Sequence, residues 1–211
     1  MNRNDIFDVI AEVEARHKET GEGFSFKDSG KLRLVEERLN SEKISDLSGE
    51  KLADFAYLYS YLGKAYERMG RIAPAKENYE KAVSCYEKLF DEGKKAENGF
   101  PVALSQCVKC RNYFEDDDCE DLRRIAEKCF GKGFSFDELL SHRRSINHDP
   151  IEKSEKYLSV IDEIDEKVSK NRTVYGPGAC HEMWSLKARF LAEKGVVWRS
   201  PVILNPTVRF D

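Results

Sequence analysis

The chain has no apolar run approaching the roughly 20 residues of a membrane-spanning helix, so neither a span nor a membrane partner is expected. Its first residues, MNRNDIFDVIAEVEARHK, lack the long apolar stretch of a secretory leader and interleave acids throughout. A cytoplasmic setting is the expectation. A basic excess is also missing: 35 Lys and Arg stand against 39 Asp and Glu, a net charge of −4. That argues against general nucleic-acid binding, which needs a basic face for the phosphate backbone. There is no Walker loop, no GxGxxG after a strand, no HExxH and no GxSxG, so the enzyme classes those patterns mark have no support. The six cysteines, in a protein of this setting, read as reduced thiols rather than a disulfide framework.

The 211 residues are 35% charged and 40% hydrophobic. Length allows one or two domains, and one compact core is feasible at this size. The high charged fraction suits a helical protein with exposed charged faces. Charge is uneven. From Asn171 onward six Lys and Arg oppose three acids, a net +3, which leaves −7 for the residues before it.

The most regular stretch is Ala56 to Leu89, AYLYSYLGKAYERMGRIAPAKENYEKAVSCYEKL. Phe55, Tyr59, Leu62 and Tyr66 fall on one helical face. Gly63 sits mid-helix, where glycine costs about 1 kcal/mol relative to alanine, which predicts close approach by another helix. Gly70 ends this helix with Arg68 in its last turn, and Ser48 is a candidate N-cap well upstream. The second helix carries Ala75, Tyr79, Ala82, Val83 and Tyr86 on its inner side.

In type and spacing, Tyr59, Leu62, Gly63, Tyr66, Gly70, Ala75, Tyr79 and Ala82 resemble the 34-residue tetratricopeptide repeat. The chain departs from that pattern at Tyr59, where tryptophan is favoured, and at Glu87, where a proline is common. The resemblance implies an alpha-alpha superhelix whose first helices line an inner groove for a peptide or partner helix. On this hairpin the residues facing that groove would be Tyr57, Ser60, Lys64, Glu67 and Arg68. Lys64 and Arg68, with Lys109 and Arg111 further on, are the only hints of carboxylate capture.

Before this hairpin, Asp5 to Lys18 forms an amphipathic helix with Ile6, Val9, Ile10 and Val13 on one face, and a second helix runs from about Lys31 to Leu39. After it, VALSQCVKCRNYF and CEDLRRIAEKCF read as a divergent second hairpin separated by the acidic turn EDDD. Setting Tyr113 on Tyr66 puts Cys110 on Gly63, Leu122 on Ala75, Ala126 on Tyr79 and Cys129 on Ala82. GEGFSFKD at 21–28 is echoed by GKGFSFDE at 131–138, which suggests two equivalent loops leading into helices, and Ser135 with Glu138 has capping-box spacing. Asp149-Pro150 starts a helix running to about Val168, with Tyr157, Leu158, Ile161, Ile164 and Val168 as its stripe. The turn TVYGPG leads to a last helix with Met183, Leu186, Phe190 and Leu191 inside, Trp184 near the edge, and Gly195 closing it. The end, VVWRSPVILNPTVRFD, is apolar enough to require cover. It is expected to lie on the helices, with one turn at Ser200-Pro201.

Several constellations suggest chemistry. Cys107 and Cys110 form a CxxC, with Cys119 and Cys129 downstream; the spacing lacks the paired knuckles of a zinc site, and the bland reading buries Cys110 and Cys129 in a hairpin core. Cys180-His181 invites a nucleophile reading, but adjacent helical residues do not face each other, and a base would have to come from His142 or His148. SHRRSINHD, Ser141 to Asp149, could bind an anion at a helix start or be a solvated connection. Taken together, the expectation is an all-α protein of about nine helices, with 1–195 a TPR-like helical domain and 196–211 a tail packed on it. It would act as a non-enzymatic module for a protein or peptide partner, with no cofactor and no metal. Self-association as a homo-oligomer, or a cysteine- or metal-dependent activity, are the alternatives.

Overall fold

A computed structural model describes residues 3–94, 99–114, 119–131, 134–141 and 146–210. The acidic turn residues 115–118 and the His142–Arg143–Arg144 part of SHRRSINHD lie outside them. Among the described residues there is no strand. The helices are α1 (Arg3–Thr20), α2 (Ser29–Asn40), α3 (Gly49–Arg68), α4 (Ile72–Asp91), α5 (Gly99–Asn112), α6 (Glu120–Phe130), α7 (Phe136–Ser141), α8 (Glu155–Asn171), α9 (Ala179–Glu193) and the single turn α10 (Pro201–Leu204). None of them is long and apolar enough to cross a membrane. The chain divides into two compact units: Met1–Arg111 with Asp118–Arg143, and Asn112–Asp117 with Arg144–Asp211.

In the first unit α3 and α4 form a hairpin packed along its length. Phe55, Tyr59, Leu62 and Tyr66 of α3 are buried, as are Ala75, Tyr79, Ala82 and Val83 of α4. The reason for glycine at position 63 is specific: a Cβ there would lie 2.8 Å from the Tyr79 ring. The close approach is made by an aromatic face rather than by the partner backbone. Gly70, with φ +71°, lets the Arg71 N–H reach back to the Tyr66 carbonyl (2.8 Å) and its own N–H to Glu67 (2.9 Å). These bonds satisfy carbonyls the helix end would otherwise orphan.

A tyrosine-rich core needs acceptors for its hydroxyls. Tyr66 donates to Glu36 (2.8 Å), Tyr59 to Asn40 (3.3 Å) and Tyr79 to Glu67 (3.2 Å). Glu36 also accepts from the buried Asn78 amide at 2.7 Å. Two of these acceptors, Glu36 and Asn40, lie on α2, so that helix is fixed to the hairpin by polar contacts at the rim of an apolar interface.

The two GxGFSF segments share backbone bonds at their described ends. Each follows a helix end where a glycine N–H bonds four residues back, Gly21 to His17 and Gly131 to Glu127, and both glycines have positive φ. Each then makes the same three-residue closure, Asp28 N–H to Ser25 (2.9 Å) and Glu138 N–H to Ser135 (3.2 Å). In the first loop the buried Asp28 carboxylate takes Arg16 (2.9 and 2.7 Å), His17 (3.2 Å) and the Ser25 N–H (3.0 Å). Burial alone would raise its pKa, but Arg16, Ser25 and His17 outweigh burial and hold it below the usual value.

In the second unit α8 and α9 pair, with Tyr157, Ile161, Ile164 and Val168 of α8 against Phe190 and Leu191 of α9. The tail completes this core with Val196 and Trp198. The single turn expected at Ser200-Pro201 is present as α10. One expectation is corrected. The helix does not run unbroken from Asp149. Asp149 caps a short 3-10 turn, Pro150–Lys153, by accepting the Ile151 N–H. Ser154 is extended (φ −78°, ψ 143°) and caps α8 anew by accepting the Tyr157 N–H at 3.2 Å. Two successive caps give two short starts where the sequence shows one.

Candidate functional site

The exposed face of α3 is where the residues named from the sequence fall. Tyr57 is half exposed, and its ring lies parallel to Phe7 of α1 with centroids 6.4 Å apart. Lys64 and Arg68, two and three turns further along, are exposed. Ser60 is half-buried and returns its hydroxyl to the Ala56 carbonyl at 2.8 Å. Glu67 is engaged from two sides, by the Tyr79 hydroxyl and by Lys109 at 2.5 Å. The five residues therefore share a helix but divide in use. Tyr57, Lys64 and Arg68 present themselves outward, while Ser60 and Glu67 serve the packing.

Beside Tyr57 a groove of about 300 Å³ opens between α1, α2 and α3. Its floor is apolar: Ile6 and Phe7 from α1, Phe55 and Leu58 from α3. Its charged lining is Arg38 and Lys51 with the three acids Glu42, Glu50 and Asp54. Both cations converge on Glu42, Arg38 at 3.4 Å and Lys51 in a closer contact. Exposed pairs of this kind add at most about 1 kcal/mol, so they can rearrange. Phe7 belongs to both features, stacking on Tyr57 and lining the groove. The sequence pattern missed it because it lies off the Ile6–Val9–Ile10–Val13 stripe. An aromatic on a face without a core role was the available signal.

Lys109 and Arg111 are committed within the fold. Arg111 forms a fork on Asp121 (2.5 and 2.9 Å) and reaches Glu80 at 2.8 Å. Burial would raise the Asp121 pKa, and the Arg111 fork outweighs it and holds the carboxyl low. Capture of a foreign carboxylate by these two residues would first have to displace their own.

The cysteines of the CxxC, Cys107 and Cys110, are fully buried in α5, whereas Cys119 and Cys129 are half-buried. Cys129, expected in the core on the same face as Leu122 and Ala126, is only half-buried, while those two are buried. Burial pushes the Cys107 and Cys110 thiols far up and the Cys85 thiol up to about 12. Such thiols are protonated at neutral pH and are poor nucleophiles. Among the described residues no group of three or more His, Cys, Asp or Glu could hold a metal ion. Cys180 is half-buried. His181 turns to the tail, with Nε2 3.2 Å from the Phe210 carbonyl oxygen, and His148 pairs with Glu152 at 3.0 Å. The two are thereby occupied separately.

No family model, no characterised protein and no solved structure matches the chain.

Proposed function

We propose that this chain is a TPR-like helical protein of cytoplasmic setting that binds a protein or peptide partner without catalysing a reaction. The α3–α4 hairpin would be its most regular unit in an alpha-alpha superhelix, with α1–α2 and α5–α6 as irregular neighbours. The observation that carries this reading is the continuity between the exposed α3 face and the apolar-floored groove, joined through the Tyr57–Phe7 stack. A helical or extended segment lying along α3 could place acidic side chains against Lys64 and Arg68 and an apolar side chain over Phe7, Phe55 and Leu58. An aromatic anchor beside a pocket, with charge at the rim, is the usual arrangement of an interaction hot spot.

The experiment is a peptide-display selection against the full chain, followed by affinity measurements on variants. Tyr57→Ala and the pair Lys64→Glu with Arg68→Glu should each weaken the selected ligand by about tenfold or more, with the thermal melt unchanged. Ligands that bind all variants equally would place binding elsewhere and defeat the reading.

A further inference from the structure

Residues 196–210 of the second unit are held more selectively than apolar cover requires. Trp198 is 7% exposed and sits among Tyr157, Ile161 and Leu191. Its indole N–H donates to the buried Glu152 at 2.7 Å, and the Lys187 ammonium lies 5.3 Å from its ring centroid. Glu152 is held ready by His148. Arg199 donates its backbone N–H to Asp149 at 2.7 Å and its guanidinium to the same carboxylate at 3.1 and 3.4 Å. Pro201 is buried. The Asn205 side-chain amide accepts the Asn147 N–H at 2.8 Å and donates to the Asn147 carbonyl at 3.0 Å. Between these points Val197 and Ile203 face outward, 83% and 63% exposed.

Each anchored position is thus read by a different chemistry: an indole N–H by a carboxylate, a guanidinium by a second carboxylate, an amide by a backbone pair. Apolar cover alone would need none of them. A surface that discriminates side chains along an extended segment is how peptide-binding proteins achieve selectivity.

We infer that the seat formed by residues 147–152, α8 and α9 is a peptide-recognition site for Trp-Arg-Ser-Pro followed four residues later by Asn, filled in cis by the chain's own tail, and that its trans occupant is the tail of a second copy. The same residues from another copy reproduce every contact, so exchange changes no chemistry. The tether decides which tail wins. A short linker gives the cis tail an effective concentration on the order of millimolar, so the closed monomer prevails until the chain's own tail is weakened. The tail leaves α9 directly at the helix-ending Gly195 (φ +71°), so the cis linker is short.

Complementary full-length variants test this. One carries Trp198→Ala with Arg199→Ala, leaving the seat intact and the tail broken. The other carries Asp149→Ala with Glu152→Ala, leaving the tail intact and the seat without either acceptor. Sedimentation should find each alone monomeric and the mixture a one-to-one dimer, and a synthetic peptide of residues 196–211 should bind the first variant at least about tenfold more tightly than the wild-type chain. Two folded variants that stay monomeric when mixed overturn the proposal. If the first variant loses helical signal, recovery of that signal on adding the peptide supports the proposal, and failure to recover makes the tail a fixed part of the core and overturns it.

Discussion

The α3–α4 hairpin of the first unit and the α8–α9 hairpin of the second bury the same kind of apolar stripe and are closed in different ways. The first is closed by a helix near it in sequence, with tyrosine hydroxyls of α3 reaching α2 at Glu36 and Asn40. The second is closed by residues 196–205, whose anchors bridge 46, 50 and 58 residues of chain, Glu152 to Trp198, Asp149 to Arg199 and Asn147 to Asn205. Periodicity shows which faces seek cover. It does not show what covers them.

That contrast can be broken most forcefully at Trp198. Trp198→Ala removes a buried indole and takes its N–H from Glu152 Oε1, leaving that carboxylate with His148 alone, which should cost about 3–5 kcal/mol. Hydrogen exchange should show lost protection in α8 and α9 and none lost in α3 and α4. Equal loss in both hairpins would mean the units do not open separately. The counterpart in the first unit is Gly63→Ala. Helix propensity favours the alanine by about 1 kcal/mol, but its Cβ would meet the Tyr79 ring at 2.8 Å, and that ring is held by its hydroxyl on Glu67. A net loss of about 1–3 kcal/mol in thermal unfolding is expected, and stabilisation would show that the ring yields freely.

A smaller effect comes from acid. Burial would raise the Asp149 pKa, but the Arg199 side chain and N–H and the Ile151 N–H hold it below its ordinary value. The folded protein therefore resists protonation of this carboxyl more than the unfolded chain does. Its contribution is complete above the ordinary carboxylate range and is lost as pH falls through the lower folded value. With Arg199 more than half exposed, the contribution is on the order of 1 kcal/mol. Trp198 fluorescence should report a tail loosening below about pH 4 that Asp149→Asn abolishes; an unchanged acid transition in that variant would assign the loosening to another group.

Much of the architecture was legible in the sequence. The α3–α4 hairpin announced itself through spacing, the end of α3 through Gly70, and the tail turn through Ser200-Pro201. Other features were not legible, for identifiable reasons. Ser154 interrupts the helix after Asp149 because two good caps lie five residues apart, and pattern alone cannot tell one start from two. Glu152 reads as an ordinary first-turn acid yet is buried against an indole 46 residues away. Of the candidate site, α3 itself was readable, with Tyr57, Lys64 and Arg68 outward. The commitment of Glu67 and of Arg111 was not, since it depends on partners in α4, α5 and α6. The groove was hidden for the same reason, being assembled from three helices.

Everything proposed for the first unit turns on whether the α3 face with its adjoining groove takes a partner segment. The most direct measurement is a hydrogen-exchange or NMR footprint of the full chain saturated with its best selected peptide. Protection or shifts should centre on Phe7, Tyr57, Lys64 and Arg68 and be lost in the Lys64→Glu, Arg68→Glu chain, with α8 and α9 unaffected. A footprint confined to α8, α9 and the tail, or one that survives those substitutions, would contradict the proposal.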